Sequence, residues 1–117
     1  MKNYFAALLF FISSIAFSQD KFIGNWMSED GKLTIEIYIK KEAYYGKITS
    51  SENIEIKDKV VLIQMIKKSE SQLYGGMYYD EDLKSEYEAK LKLTDENTMR
   101  LKILSGLCGK TVVWHRN

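Results

Sequence analysis

"LTIEIYIK" (residues 33–40) decides the fold. Leu33, Ile35, Ile37 and Ile39 fall on one parity, Thr34, Glu36, Tyr38 and Lys40 on the other. Successive side chains of an extended chain point to opposite faces, so this alternation marks a strand with one dry and one wet face. "EYEAKLKL" (86–93) repeats it, with Tyr87, Ala89, Leu91 and Leu93 against Glu86, Glu88, Lys90 and Lys92. In "TMRLKIL" (98–104), Met99, Leu101 and Ile103 oppose Arg100 and Lys102. All read as half-buried antiparallel strands.

The breaks between these runs fall where hairpins need them. Lys41-Glu42-Ala43 precedes "YYGKIT" (44–49), Asp80-Glu81-Asp82 follows "LYGGMYY" (73–79), and Thr94-Asp95-Glu96-Asn97 leads into "TMRLKIL". "VVLIQMIKK" (60–68) is more continuously apolar, as suits a strand with less solvent outside. Residues 50–59 read as a loop with a short strand at 54–56, and Gly75-Gly76 as a bulge or bend. No segment carries a helical stripe. The pattern is all-β, with roughly eight short strands joined by tight turns. A meander of that size is most stable when it closes, because closure removes both unpaired edges. The expected fold is a small antiparallel up-and-down barrel, its interior filled by side chains or shared with one small ligand.

The start of the chain is set apart from that domain. Lys2 precedes the uncharged run "YFAALLFFISSIAF" (4–17), which falls short of the roughly 20 apolar residues a spanning helix needs. Small residues at Ala16 and Ser18 suit a signal peptidase. Residues 1–18 are therefore expected to be a signal peptide and 19–117 a single β-barrel domain, exported to the periplasm or beyond. No membrane span is expected in the mature chain.

Charge and composition exclude several function classes. The chain has 17 basic and 16 acidic residues, and loss of Lys2 balances them. Such a balance gives no long-range attraction to nucleic acid or an anionic membrane. Cys108 is the one cysteine, so no internal disulfide forms, and it reads as a buried small hydrophobe, with an intermolecular thiol as the alternative. His115 is the one histidine and opposes Trp114 in parity, which places it in solvent. No nucleophile, base and oxyanion set stands out, so no catalytic residue is assigned and an enzyme is the last of three readings. Asp80 and Asp82 alternate as calcium ligands do, but no glycine follows and Lys84 intervenes, so Asp80 reads as a turn residue. One cysteine and one histidine do not make a zinc site. No metal or cofactor is expected.

The two ends of the domain explain each other. If the first and last strands pair, Gly24-Asn25-Trp26 meets Trp114-His115-Arg116. Gly24 then allows close backbone approach, Trp26 plugs one end beside Phe22, and Arg116 lies across an indole, a contact worth about 0.5–1 kcal/mol when exposed. Gly24, Trp26, Trp114 and Arg116 are assigned to closure. A Gly-x-Trp start and a basic residue on the last strand resemble lipocalin-like and avidin-like barrels, in which the pair is structural.

A closer resemblance spans residues 24–116. "GNWMSEDGKLTIEIY", "YYGKI", "YGGMYYD", "YEAKLKL" and the terminal "GKTVVWHR" stand in the order seen in a bacterial family of small exported proteins, domain of unknown function 2147. The resemblance implies a lipocalin-like barrel and no established activity. Relatives usually carry a longer Pro- and Asp-rich loop after the "YGKI" strand. Here that loop shrinks to about residues 49–59, and the chain has no proline.

The richest chemistry is aromatic. A phenol joins an apolar body to one polar tip, which suits a pocket for a largely apolar guest, and methionine adapts around it. Tyr45, Met65, Met77, Tyr79, Tyr87 and Met99 are the candidate ligand-binding residues, with ordinary core packing as the competing explanation. The leading reading is a non-enzymatic exported barrel for a small apolar or amphipathic molecule. The runner-up is an envelope module with a filled core that contacts another protein.

Overall fold

Alternation in the sequence becomes inside and outside in space. The computed structural model describes residues 20–80, 84–104 and 110–117. Eight strands follow in chain order: β1 (Gly24–Ser28), β2 (Leu33–Lys40), β3 (Ala43–Ser51), β4 (Val60–Ser69), β5 (Gln72–Asp80), β6 (Ser85–Asp95), β7 (Thr98–Ile103) and β8 (Thr111–Arg116). Each pairs antiparallel with the next, and β8 returns to β1 through Trp26–Arg116 and Ser28–Trp114 partners, closing the barrel. The structure is thus the all-β, up-and-down barrel that the patterning implies. Residues 1–18, expected to be a signal peptide, and Glu81, Asp82 and Cys108 lie outside the described residues.

Two local expectations change. Residues 54–56 form a single 3-10 turn, not a strand. Asn53 starts it by accepting the Glu55 amide through its side chain, a local bond that competes with ladder pairing. Ala43 belongs to β3, and the turn before it is only Lys41 and Glu42, both at positive φ (51° and 69°). That is the twist-matched two-residue hairpin, formed here without its usual Asn-Gly.

Bulges decide which side chains reach the interior. On β5 the register shifts between Leu73 and Gly76, with Gly75 at φ 78°. One extra residue reverses parity, so Leu73, Gly76, Tyr78 and Asp80 are buried, while Tyr74 and Met77 are exposed. On β4, Gln64 at φ 53° does the same, and Leu62 is followed inward by Met65. The bulged strands come very close: a Cβ on Gly76 would stand 2.3 Å from the Ile63 carbonyl oxygen. Only glycine fits there.

Candidate functional site

One end of the barrel is sealed by the segment that leads into β1. Trp26 is fully buried and its indole N–H donates to the Phe22 carbonyl at 2.9 Å. The Arg116 guanidinium lies 4.1 Å from the Trp26 ring centre and donates to the carbonyls of Ile23 (3.0 Å), Glu96 (3.3 Å) and Lys21. Gly24 sits at φ 130°, and a Cβ there would stand 3.0 Å from Arg116 Nη1. Asp20 accepts from the Phe22 amide and from the Tyr44 hydroxyl, and Tyr44 packs edge-on to Phe22. Burial, and then the Asp20 carboxylate, push the Tyr44 phenol well above its ordinary range. Gly24, Trp26 and Arg116 therefore meet at this end of the barrel. Trp114 lies further along the interior.

The other end holds a cavity of about 400 Å³. Its wall runs from Ser28 and Leu33 through Ile56 to Tyr78 and Asp80, and back along Val112 and Trp114. Apolar surface from Leu33, Ile56, Val112 and Trp114 is thus combined with a few polar groups. Ser28 is tied into the wall: its hydroxyl donates to Asp30 at 2.7 Å and accepts the Leu33 amide at 3.0 Å. Asp30 also accepts the Lys32 amide, and these two bonds, the backbone one first, hold its carboxyl below the usual range. The Trp114 indole N–H is buried and meets no acceptor among the described residues.

Asp80 and Lys110 are the strongest charged feature of this end. Asp80 is 2 % exposed, and Lys110 Nζ bonds its carboxylate at 2.8 Å. They belong to the end of β5 and the approach to β8, which are not neighbours in the sheet, so the ion pair joins opposite parts of the rim. Asp80 is therefore a strand residue of the interior, not an exposed turn. His115 is half-exposed, 3.7 Å from Glu29. No group of acidic, histidine or cysteine side chains able to hold a metal occurs among the described residues.

The six residues singled out for ligand binding are not gathered around this cavity. Met65 and Met99 are fully buried among core side chains. Met77 faces out because of the β5 bulge, and Tyr79 shares its parity, with Lys59 Nζ 3.4 Å from its ring centre. Tyr45 stacks on Tyr38 at 5.9 Å across β2 and β3, while Tyr44 takes the inward position. Tyr87 comes nearest: it is half-buried and directly opposite Tyr78, which does line the cavity.

Comparison with known proteins agrees with this architecture. Residues 24–116 match the family described as uncharacterized proteins conserved in bacteria, domain of unknown function 2147. The chain belongs to this family. Among solved structures the family member described here is similar to protein HP1028 of Helicobacter pylori, which is described as belonging to the lipocalin family. The match has a TM-score of 0.65 and 17% identity over 82% of each chain. At that identity the likeness concerns the fold, a lipocalin-like barrel. No curated protein matches the chain.

For this member of the family, the residues that sequence reasoning missed are Tyr78, Asp80 and Lys110. An acidic residue two positions from Tyr78 and four from Gly76 was a usable signal, because all three share a parity. It pointed inward only once the bulge expected at Gly75-Gly76 was fixed as one inserted residue. Lys110 lies just outside β8 in sequence, and only the closed barrel brings it to Asp80.

Proposed function

We propose that the protein is an exported, non-enzymatic barrel that takes a small apolar or amphipathic molecule into its open end. The cavity carries this reading. At about 400 Å³ it falls in the range of small-molecule sites, roughly 300–1,000 Å³, and it combines apolar walls with a few polar groups. The sealed opposite end favours a cup over a channel. The Asp80–Lys110 pair lies where the polar end of an amphipathic guest would rest. Export to the periplasm or beyond rests on the apolar leader of residues 1–18.

Native mass spectrometry of the isolated protein and titration with the fluorescent apolar probe anilinonaphthalene sulfonate test this reading. A guest at about 100 times its Kd stabilises by ~2.7 kcal/mol, a rise in melting temperature of roughly 10–20 °C for a domain this size. Val112→Trp, which fills the mouth, should abolish probe uptake and leave the fold intact. A protein that carries no added mass and ignores the probe does not bind such molecules.

A second reading has its own observation. Ile66 and Tyr74 are opposed partners on β4 and β5, both exposed, with exposed Met77 further along the same face. An apolar face outside the barrel suits contact with another envelope protein. If this face binds a partner, Ile66→Ser with Tyr74→Ser abolishes its co-purification and spares probe uptake.

A further inference from the structure

We propose that the outer face of β6 and β7 docks the protein on an anionic phospholipid surface. Lys90 stands directly opposite Lys102, and Lys92 directly opposite Arg100. All four are exposed, and none makes an ion pair among the described residues. Like charges facing each other across a sheet destabilise it, so this arrangement opposes the fold unless an anion neutralises it. The four cations and the hydroxyl-bearing Thr94 and Thr111 line one shallow groove of about 370 Å³. Lysine, guanidinium and hydroxyl donors together are the chemistry that receives phosphate oxygens.

Two features favour a lipid surface over a soluble polyanion. The outward parity of β7 runs Arg100, Lys102 and then Leu104, which is 41 % exposed just past the strand end. Arg100 and Lys102 lead up to that apolar tip, with exposed Glu88 across from it on β6, and cations near an exposed apolar side chain are the composition of an interfacial contact, where the apolar tip enters the headgroup boundary. The groove also meets the mouth of the barrel, since Thr111 lines both concavities. Near-zero net charge conceals this face, because the barrel segregates charges that the composition averages. The docking face stands on its own residues whether or not the cavity takes a guest.

Co-sedimentation with vesicles tests the proposal. Phosphatidylcholine vesicles are compared with vesicles in which about one third of the lipid is phosphatidylglycerol, an anionic surface that attracts nearby cations. The protein should pellet with the anionic vesicles alone and be released as salt rises from about 0.1 to about 1 M, which shortens the Debye length from roughly 10 to 3 Å. Lys92→Gln with Arg100→Gln should weaken this binding roughly 30-fold. That variant loses a like-charge pair and should melt no lower than the parent, so lost binding is not lost folding. Lys67→Gln with Lys68→Gln removes the same charge from β4 and should change binding less than threefold. Leu104→Ser should weaken vesicle binding severalfold. The proposal is overturned if the parent binds neither vesicle or both equally. It is also overturned if the two double variants behave alike, or if duplex DNA at equal phosphate strips the protein from anionic vesicles.

Discussion

Replacing Arg116 by alanine measures how firmly the barrel is sealed. The guanidinium makes one well-formed, part-buried bond to the Ile23 carbonyl and two more exposed bonds to Lys21 and Glu96. A charge-assisted bond contributes about 1.5–3 kcal/mol, and the low end applies because water can reach the freed carbonyls. The exposed bonds count for little on the same ground. Stacking on Trp26 at 4.1 Å adds about 0.5–1 kcal/mol. The expected loss is thus about 2–3 kcal/mol, or roughly 8–24 °C in melting temperature at 4–8 °C per kcal/mol. Thermal and urea denaturation followed by circular dichroism read it, with an unchanged urea slope showing that the native surface is intact. Arg116→Lys should fall between parent and alanine, because an ammonium keeps the charge without the planar fork. A second substitution sharpens the test. Gly24→Ala brings both strain at φ 130° and the contact with Arg116 Nη1. Removing Arg116 relieves the contact and leaves the strain, so the two losses should not add. An alanine variant within about 4 °C of the parent, or strict additivity with Gly24→Ala, would refute the seal as described.

Other expectations can be checked with the same melts. Trp26→Ala removes the largest side chain of the sealed end and should cost about 3–5 kcal/mol; a parent-like melting temperature would exclude its role as a plug. Gly76→Ala forces a methyl group against the β4 backbone, which no rotamer change can relieve, and should cost about 3 kcal/mol or more. An alanine there that leaves stability unchanged contradicts the close approach of the bulged strands. Tyr44 sets a pH dependence of known sign. Its phenol is raised above its free value of 10.0, first by burial and then by Asp20, so the unfolded state releases that proton more readily. Its contribution is complete below about pH 10 and is lost as pH climbs toward the raised value. Tyr44→Phe should lose the Asp20 bond, about 1 kcal/mol near pH 7, and show a shallower decline than the parent above pH 10. Identical alkaline slopes in urea titrations would remove Tyr44 from that account.

Alternating runs such as Leu33 to Lys40 by themselves determined the strands, their dry faces apart from Ile39, which is exposed near the end of β2, and the advantage of closure, because period-two patterning is local and burial acts largely on each residue separately. The meeting of Gly24 and Trp26 with Arg116 also followed, since closing a meander joins its first and last strands. Candidate ligand residues were a different matter. A parity count across "LYGGMYY" assigns Met77 and Tyr79 to the interior, but the inserted residue at Gly75 sends Tyr78 and Asp80 there instead. Whether a glycine pair bulges, and by how many residues, depends on the neighbouring strand that its backbone must approach. Only the tertiary structure decided that Lys110 reaches Asp80 across the rim. It also set Lys90 against Lys102 and Lys92 against Arg100. Such pairings depend on register and closure, which join residues distant in the chain and leave no mark on either segment alone.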